Sequence, residues 1–193
     1  FRQKRYVPAY YWLAVVLISV VGTLVTDNLV DNFGVSLVTT TIVFTAALAG
    51  TLAIWYAVEG TLSIHEVTTT RRESFYWLAI LFTFALGTAA GDLVAEYFAL
   101  GYMASGILFA MIIGSITFGY FVLKLDGILA FWLAYILTRP LGASFGDLLS
   151  QPVEYGGMGL GTTITSVLFL AVIVAIVLYM TLRAPRRDTI IVG

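Results

Sequence analysis

The chain has 193 residues, of which 60% are hydrophobic and only 11% charged, with a formal net charge of −1. Soluble domains carry about 25% charged residues, so this composition, with a mean hydropathy of +0.98, is that of an integral membrane protein and excludes the basic footprint of a nucleic-acid partner. There is no cysteine and a single histidine, His65, which excludes disulfides and thiolate sites and leaves no conventional metal, haem or Ser-His-Asp constellation. No cofactor, metal or enzymatic activity is therefore expected.

A bilayer core of about 30 Å needs roughly 20 mostly apolar residues per helix. Residues Phe1-Arg2-Gln3-Lys4-Arg5 read as the end of a loop, with further chain expected upstream. The first predicted span, 8–30, opens with Tyr11-Trp12-Leu13-Ala14 and carries Gly22, Thr26 and Asp27, with Asp31 four residues on. The second, 34–58, opens on Thr39-Thr40-Thr41. In helices such hydroxyls more often bond their own backbone than a substrate. A loop over 59–73 holds Glu59, His65, Glu66, Arg71, Arg72 and Glu73. Its mixed charge reads as a solvated linker, and His65 with Glu66 would make a poor metal site.

The third span, 74–97, repeats the first: Tyr76-Trp77-Leu78-Ala79, then Gly87, Gly91, Asp92 and Glu96. The fourth, 101–124, carries Ser105 near its start. The fifth, 127–150, is a third copy, with Phe131-Trp132-Leu133-Ala134, Gly142, Gly146 and Asp147, followed by Gln151. It alone holds Arg139-Pro140, where the other copies have Ser19 and Phe84. Residues 155–162 are glycine-rich but lack the strand and lysine of a nucleotide loop. The sixth span, 160–183, opens with Thr162, Thr163 and Thr165. The fold class is thus all-α: a single membrane domain over 1–193 with six spans in three tandem two-helix repeats, at about 8–58, 74–124 and 127–183. Because each repeat has two spans, all three enter the membrane the same way and are related by an axis along its normal.

Lys and Arg in the short loops set orientation. Arg2, Lys4, Arg5, Arg71, Arg72, Lys124, Arg183, Arg186 and Arg187 share one side, and the other has none. Both termini are expected in the cytoplasm. Trp12, Trp77 and Trp132 then fall at the cytoplasmic interface as headgroup-level anchors. Gly22, Gly87, Gly91, Gly142 and Gly146 read as helix-packing devices that bring the first, third and fifth helices together around a shared centre.

Each Asp lies 15 residues after its Trp, roughly 22 Å along a helix at about 1.5 Å per residue. Carboxylates at that depth mark a polar pathway or a buried network. Asp27, Asp92, Asp147 and Glu96 are the candidate pathway residues. Their oxygens suit hard cations or proton exchange, although the second acid of each pair could simply cap its helix. Arg139, about 10 Å into the membrane by helix rise, is the candidate counter-charge; its partner is left open among Asp147, Asp27 and Asp92. Snorkelling to the surface is the alternative for Arg139. Pro140 should kink or break its helix.

The three aromatic-Trp-Leu-Ala stretches, the string Gly-Thr-Ala-Ala-Gly-Asp at 87–92 and the string at 142–152 together resemble a bacterial family of membrane proteins of unassigned function. That family is built of four tandem two-helix repeats, each with a characteristic Trp. The resemblance spans essentially the whole chain, which departs from it in having three copies. It implies an eight-helix protein with a further repeat upstream of Phe1, placed in the bacterial inner membrane, and it brings no activity. The leading functional reading is a small transporter or channel for an ion or small cationic solute. The alternative is a scaffold or accessory subunit whose Asp and Arg residues lock the bundle. The expected partners are the lipid bilayer and that solute; a homo-oligomer is compatible with the sequence.

Overall fold

The computed structural model describes residues 8–67 and 69–183, without the side chain of Glu66. Six helices cross it: α1 (Pro8–Asp27), α2 (Leu37–Glu59), α3 (Thr70–Asp92), α4 (Tyr102–Val122), α5 (Gly127–Ser150) and α6 (Gly161–Arg183). No strand occurs among the described residues. All six are long and apolar enough to span a bilayer, so the protein is a multi-pass membrane protein of three tandem helical hairpins.

Local chemistry fixes the boundaries. The Ser36, Thr69 and Asp126 side chains accept hydrogen bonds from the backbone N–H groups of Thr39, Arg72 and Leu129 at 3.1, 3.3 and 2.9 Å, capping α2, α3 and α5. Thr69 starts α3 four residues before the apolar run, so the predicted loop shrinks to residues 60–69. Glu59, at the end of α2, receives the Nε–H groups of Arg71 and Arg72, both at 2.6 Å, and ties α2 to α3. Two features lie outside the sequence expectation. α1 and α3 run on as π-helical turns, Asn28–Asn32 and Leu93–Tyr97. α5 passes through Pro140 as one helix and is not broken there.

Packing follows the repeat order. α2 packs on α3 and α4 on α5, so each second helix lies against the first helix of the next repeat. α1 packs on α3, and α3 on α5. Helices in lipid are held by van der Waals contact, so glycine decides how near the backbones come. A methyl group added at Gly22 would lie 2.6 Å from Phe84 Cβ and 3.1 Å from Ala85 N. One at Gly87, the equivalent residue of the second repeat, would overlap Arg139 Cβ and sit 3.2 Å from the Arg139 backbone. At Gly91 it would meet Ala143 Cβ at 3.2 Å. The series stops in the third repeat. Gly142 has open space around it, and the nearest neighbour of Gly146 is the Phe169 ring of α6, at 3.9 Å. The expectation that Gly142 packs against a neighbouring helix is therefore corrected: no following repeat among the described residues takes that place.

α3 is the central helix, with nine buried residues; α6 has one, Thr165. The core gathers at the end where α1, α3 and α5 begin. Trp55 is 1% exposed and Trp132 3%, their rings meeting edge to face at 5.8 Å, and Trp55 stacks on Phe75 at 6.3 Å. The Tyr11 and Tyr76 hydroxyls share a 2.7 Å hydrogen bond. Headgroup anchoring is thus corrected for Trp132. Its indole N–H donates to the Leu62 carbonyl at 3.0 Å inside the bundle, because a buried indole needs an acceptor. Trp12 and Trp77 are half-buried, and Trp77 Nε1 donates to Glu73 at 3.3 Å. Arg71, Arg72, Lys124 and Arg183 all lie at this same end of the up-and-down bundle. Arg2, Lys4, Arg5, Arg186 and Arg187, used for orientation, lie outside the described residues, as does the expected upstream repeat.

Candidate functional site

α1, α3 and α5 carry their aspartates to the opposite end, where they face one cavity of about 480 Å³. Asp27, Asp92 and Asp147 form an inner tier and are half-buried. One helical turn outward, Asp31, Glu96 and Gln151 form a second tier, in which the two acids are exposed. All six polar positions of the repeated motif therefore line a single space. The π-helical turns begin directly after Asp27 and Asp92; such turns are frequent at functional sites. Glu96 also accepts a hydrogen bond from the Tyr102 hydroxyl at 3.1 Å.

The first three walls are held by close helix contacts. Thr23 and Thr88, at equivalent positions on α1 and α3, share a 3.2 Å hydrogen bond, and the Thr26 hydroxyl donates to the Ala85 carbonyl at 2.9 Å. The fourth wall is α6, through Thr162, Thr165, Ser166 and Phe169. Sequence reasoning placed only the odd-numbered helices around the centre and missed this contribution. The repeats held a signal for it. Thr40, Ser105 and Thr165 are equivalent, as are Phe44, Phe109 and Phe169. In the first two repeats these residues are buried against the next repeat, and the Thr40 and Ser105 hydroxyls donate to their own helix carbonyls at 3.1 and 2.8 Å. With no following repeat among the described residues, α6 lies against α5 and α1. Thr165, 5% exposed, keeps a hydroxyl without a hydrogen-bond partner.

The loop into α6 folds back over the end of α5. The N–H groups of Met158, Gly159 and Leu160 donate to the carbonyls of Leu148, Gln151 and Leu149 at 2.6, 2.8 and 3.0 Å, satisfying carbonyls that a helix end leaves unpaired. A side chain at Gly157 would overlap the Gln151 carbonyl, which accounts for one glycine of this run.

Arg139 does not line the cavity. Among the described residues no carboxylate lies within ion-pair distance of it, so pairing with Asp27, Asp92 or Asp147 is corrected. Helical side chains lean toward the N-terminus of their helix, which carries the guanidinium away from the acids and toward the aromatic core. There its carbon lies 3.8 Å over the Phe84 ring centroid and 4.7 Å from that of Tyr135, and Nη2 donates to the Tyr135 hydroxyl at 2.6 Å. Its Nε is buried without a partner. Tyr135 was missed in the sequence, yet it stands where the other repeats have Val15 and Ile80. The third repeat thus changes two positions four residues apart, on one helix face. The cavity is consequently acidic, with no Lys, Arg or His in its wall. No group of three described His, Asp or Glu residues is arranged to hold a metal ion.

No curated protein and no solved structure matches this chain. The family described as Repeat of Unknown Function (DUF347) matches over residues 10–61, 75–125 and 130–185, and these limits coincide with the three hairpins. The chain belongs to that family, as an array of three of its repeats.

Proposed function

We propose that the protein is a small, non-enzymatic transporter or channel for an ion or small cationic solute, with the acidic cavity as its binding site. One observation carries this reading: five carboxylates from two tiers share a cavity whose wall contains no base. Ionisable groups within membrane spans are costly, and unpaired ones are retained where they face water or a solute path. The alternative of a locked Asp–Arg scaffold loses its support, because Arg139 is engaged by Tyr135 and Phe84 instead. At the other end Trp55, Trp132 and Tyr76 are buried in the bundle, which fits a cavity open at one end. With the basic loops in the cytoplasm of a bacterial inner membrane, that open side is the outer one. The test is cation-driven current and flux in proteoliposomes across a panel of Na⁺, K⁺, Mg²⁺ and organic ammonium ions. Wild type should carry one class, and Asp92→Asn should abolish that flux while remaining folded. A correctly folded protein that moves no cation would refute the reading.

A further inference from the structure

The distribution of charge in the cavity bears on what kind of cation it takes, given that it takes one. A dehydrated metal ion needs several oxygen ligands converging at about 2.0–2.6 Å. The acids here do not converge: no three described His, Asp or Glu residues are arranged to share one ion. Their negative charge is spread instead over two tiers four residues apart, the inner acids ending α1 and α3 and the outer ones in the π-helical turns that follow, so the tiers lie roughly 5 Å apart, about one helical turn. A cation matching that spread carries charges separated by a similar distance. A four-carbon chain with an ammonium at each end spans roughly 6 Å when extended, from ordinary bond lengths.

Three further features fit such a molecule. The cavity, about 480 Å³, falls in the range of sites for small organic ligands, about 300–1,000 Å³. The Thr165 hydroxyl is buried and unpartnered, although its equivalents Thr40 and Ser105 bond their own backbone. That leaves an unpaired polar oxygen at the cavity wall, and an ammonium offers donors only. The Phe169 ring lines the same wall and gives methylene groups an apolar contact or an ammonium a ring face. We propose that the cavity binds linear aliphatic diamines and polyamines, one ammonium held by an inner-tier acid among Asp27, Asp92 and Asp147 and another by the outer tier at Glu96, beside Asp31. This rests on the reading of the cavity as a cation site.

The experiment is calorimetric binding to the full chain in lipid nanodiscs, with 1,4-diaminobutane, spermidine, n-butylamine, Na⁺ and Mg²⁺ as probes. The diamine should bind at least about tenfold more tightly than butylamine, since its second ammonium gains charge-assisted hydrogen bonds. Glu96→Gln, at the exposed rim, should bring the diamine down toward butylamine and weaken butylamine far less. Equal affinity for the two amines in the wild type overturns the proposal. So does diamine binding that Glu96→Gln leaves untouched, because the second contact then lies elsewhere. Mg²⁺ or Na⁺ binding that Asp92→Asn removes, without diamine binding, overturns the polyamine assignment while the cation reading stands. No binding of any probe to folded protein removes both.

Discussion

Exchanging Gly87 for alanine and, separately, Gly142 for alanine perturbs the same position of the repeat in two different surroundings. At Gly87 the new methyl overlaps Arg139 Cβ and lies 3.2 Å from that residue's Cα and carbonyl carbon. None of these is the far end of a flexible side chain, so α3 and α5 must move apart. At Gly142 nothing lies within 4 Å. Alanine in place of glycine in a helix stabilises by up to about 1 kcal/mol, but that gain is common to both sites and cancels in the comparison. What remains is the overpacking cost at residue 87, about 1–3 kcal/mol. Gly142→Ala should therefore be neutral or slightly stabilising, and Gly87→Ala should be less stable than it by that margin. Unfolding midpoints of both variants in one detergent, or reversible denaturation in mixed micelles, give the difference directly. Equal destabilisation would refute the packing scheme, since it would mean that the Gly142 face is as closely covered as that of Gly87.

Three other outcomes are expected. Tyr135→Phe removes the hydroxyl that accepts from Arg139 Nη2 at 2.6 Å and should cost about 1.5–3 kcal/mol, as a hydrogen bond to a charged group does. Arg139→Met should cost less in the same denaturation assay, because the charge leaves with its side chain. Trp132→Phe leaves the Leu62 carbonyl without its indole donor and should lower stability by about 1 kcal/mol with the fold intact by circular dichroism. The chain has no cysteine, so single introduced cysteines report sidedness cleanly. In intact cells a membrane-impermeant maleimide should label Met158→Cys and not Lys124→Cys; the reverse pattern would invert the proposed orientation.

The hairpins were legible in the sequence because composition alone decides spanning helices and the repeated aromatic-Trp-Leu-Ala, Gly and Asp positions fix their register. That same register foretold which residues would share a level of the bundle, and the aspartates do meet around one space. The behaviour of the third repeat was not legible. Gly142, Phe169 and Thr165 have the identities of their equivalents but not their neighbours, and neighbours are a property of the array rather than of the motif. Arg139 was misread for a directional reason. Spacing along α5 suggested an acid, whereas the lean of helical side chains carries the guanidinium toward Tyr135. The π-helical turns after Asp27 and Asp92 left no composition signal, since a widened turn needs no special residue. Pro140 was expected to kink or break α5, and the helix continues through it unbroken.

The uneven support of the cavity walls sets a physical condition on the site. α1, α3 and α5 are fixed by backbone-to-backbone approach, whereas α6 buries only Thr165. Its outer surface, including Val167, Leu170, Val174 and Leu178, is exposed and apolar, as a lipid-facing surface is. Where acyl chains cover that face, the match between the α6 apolar length and bilayer thickness bears on the cavity, at fractions of a kcal/mol per Å of mismatch. The shape of the space between the acids is a joint property of this chain and the lipid around it.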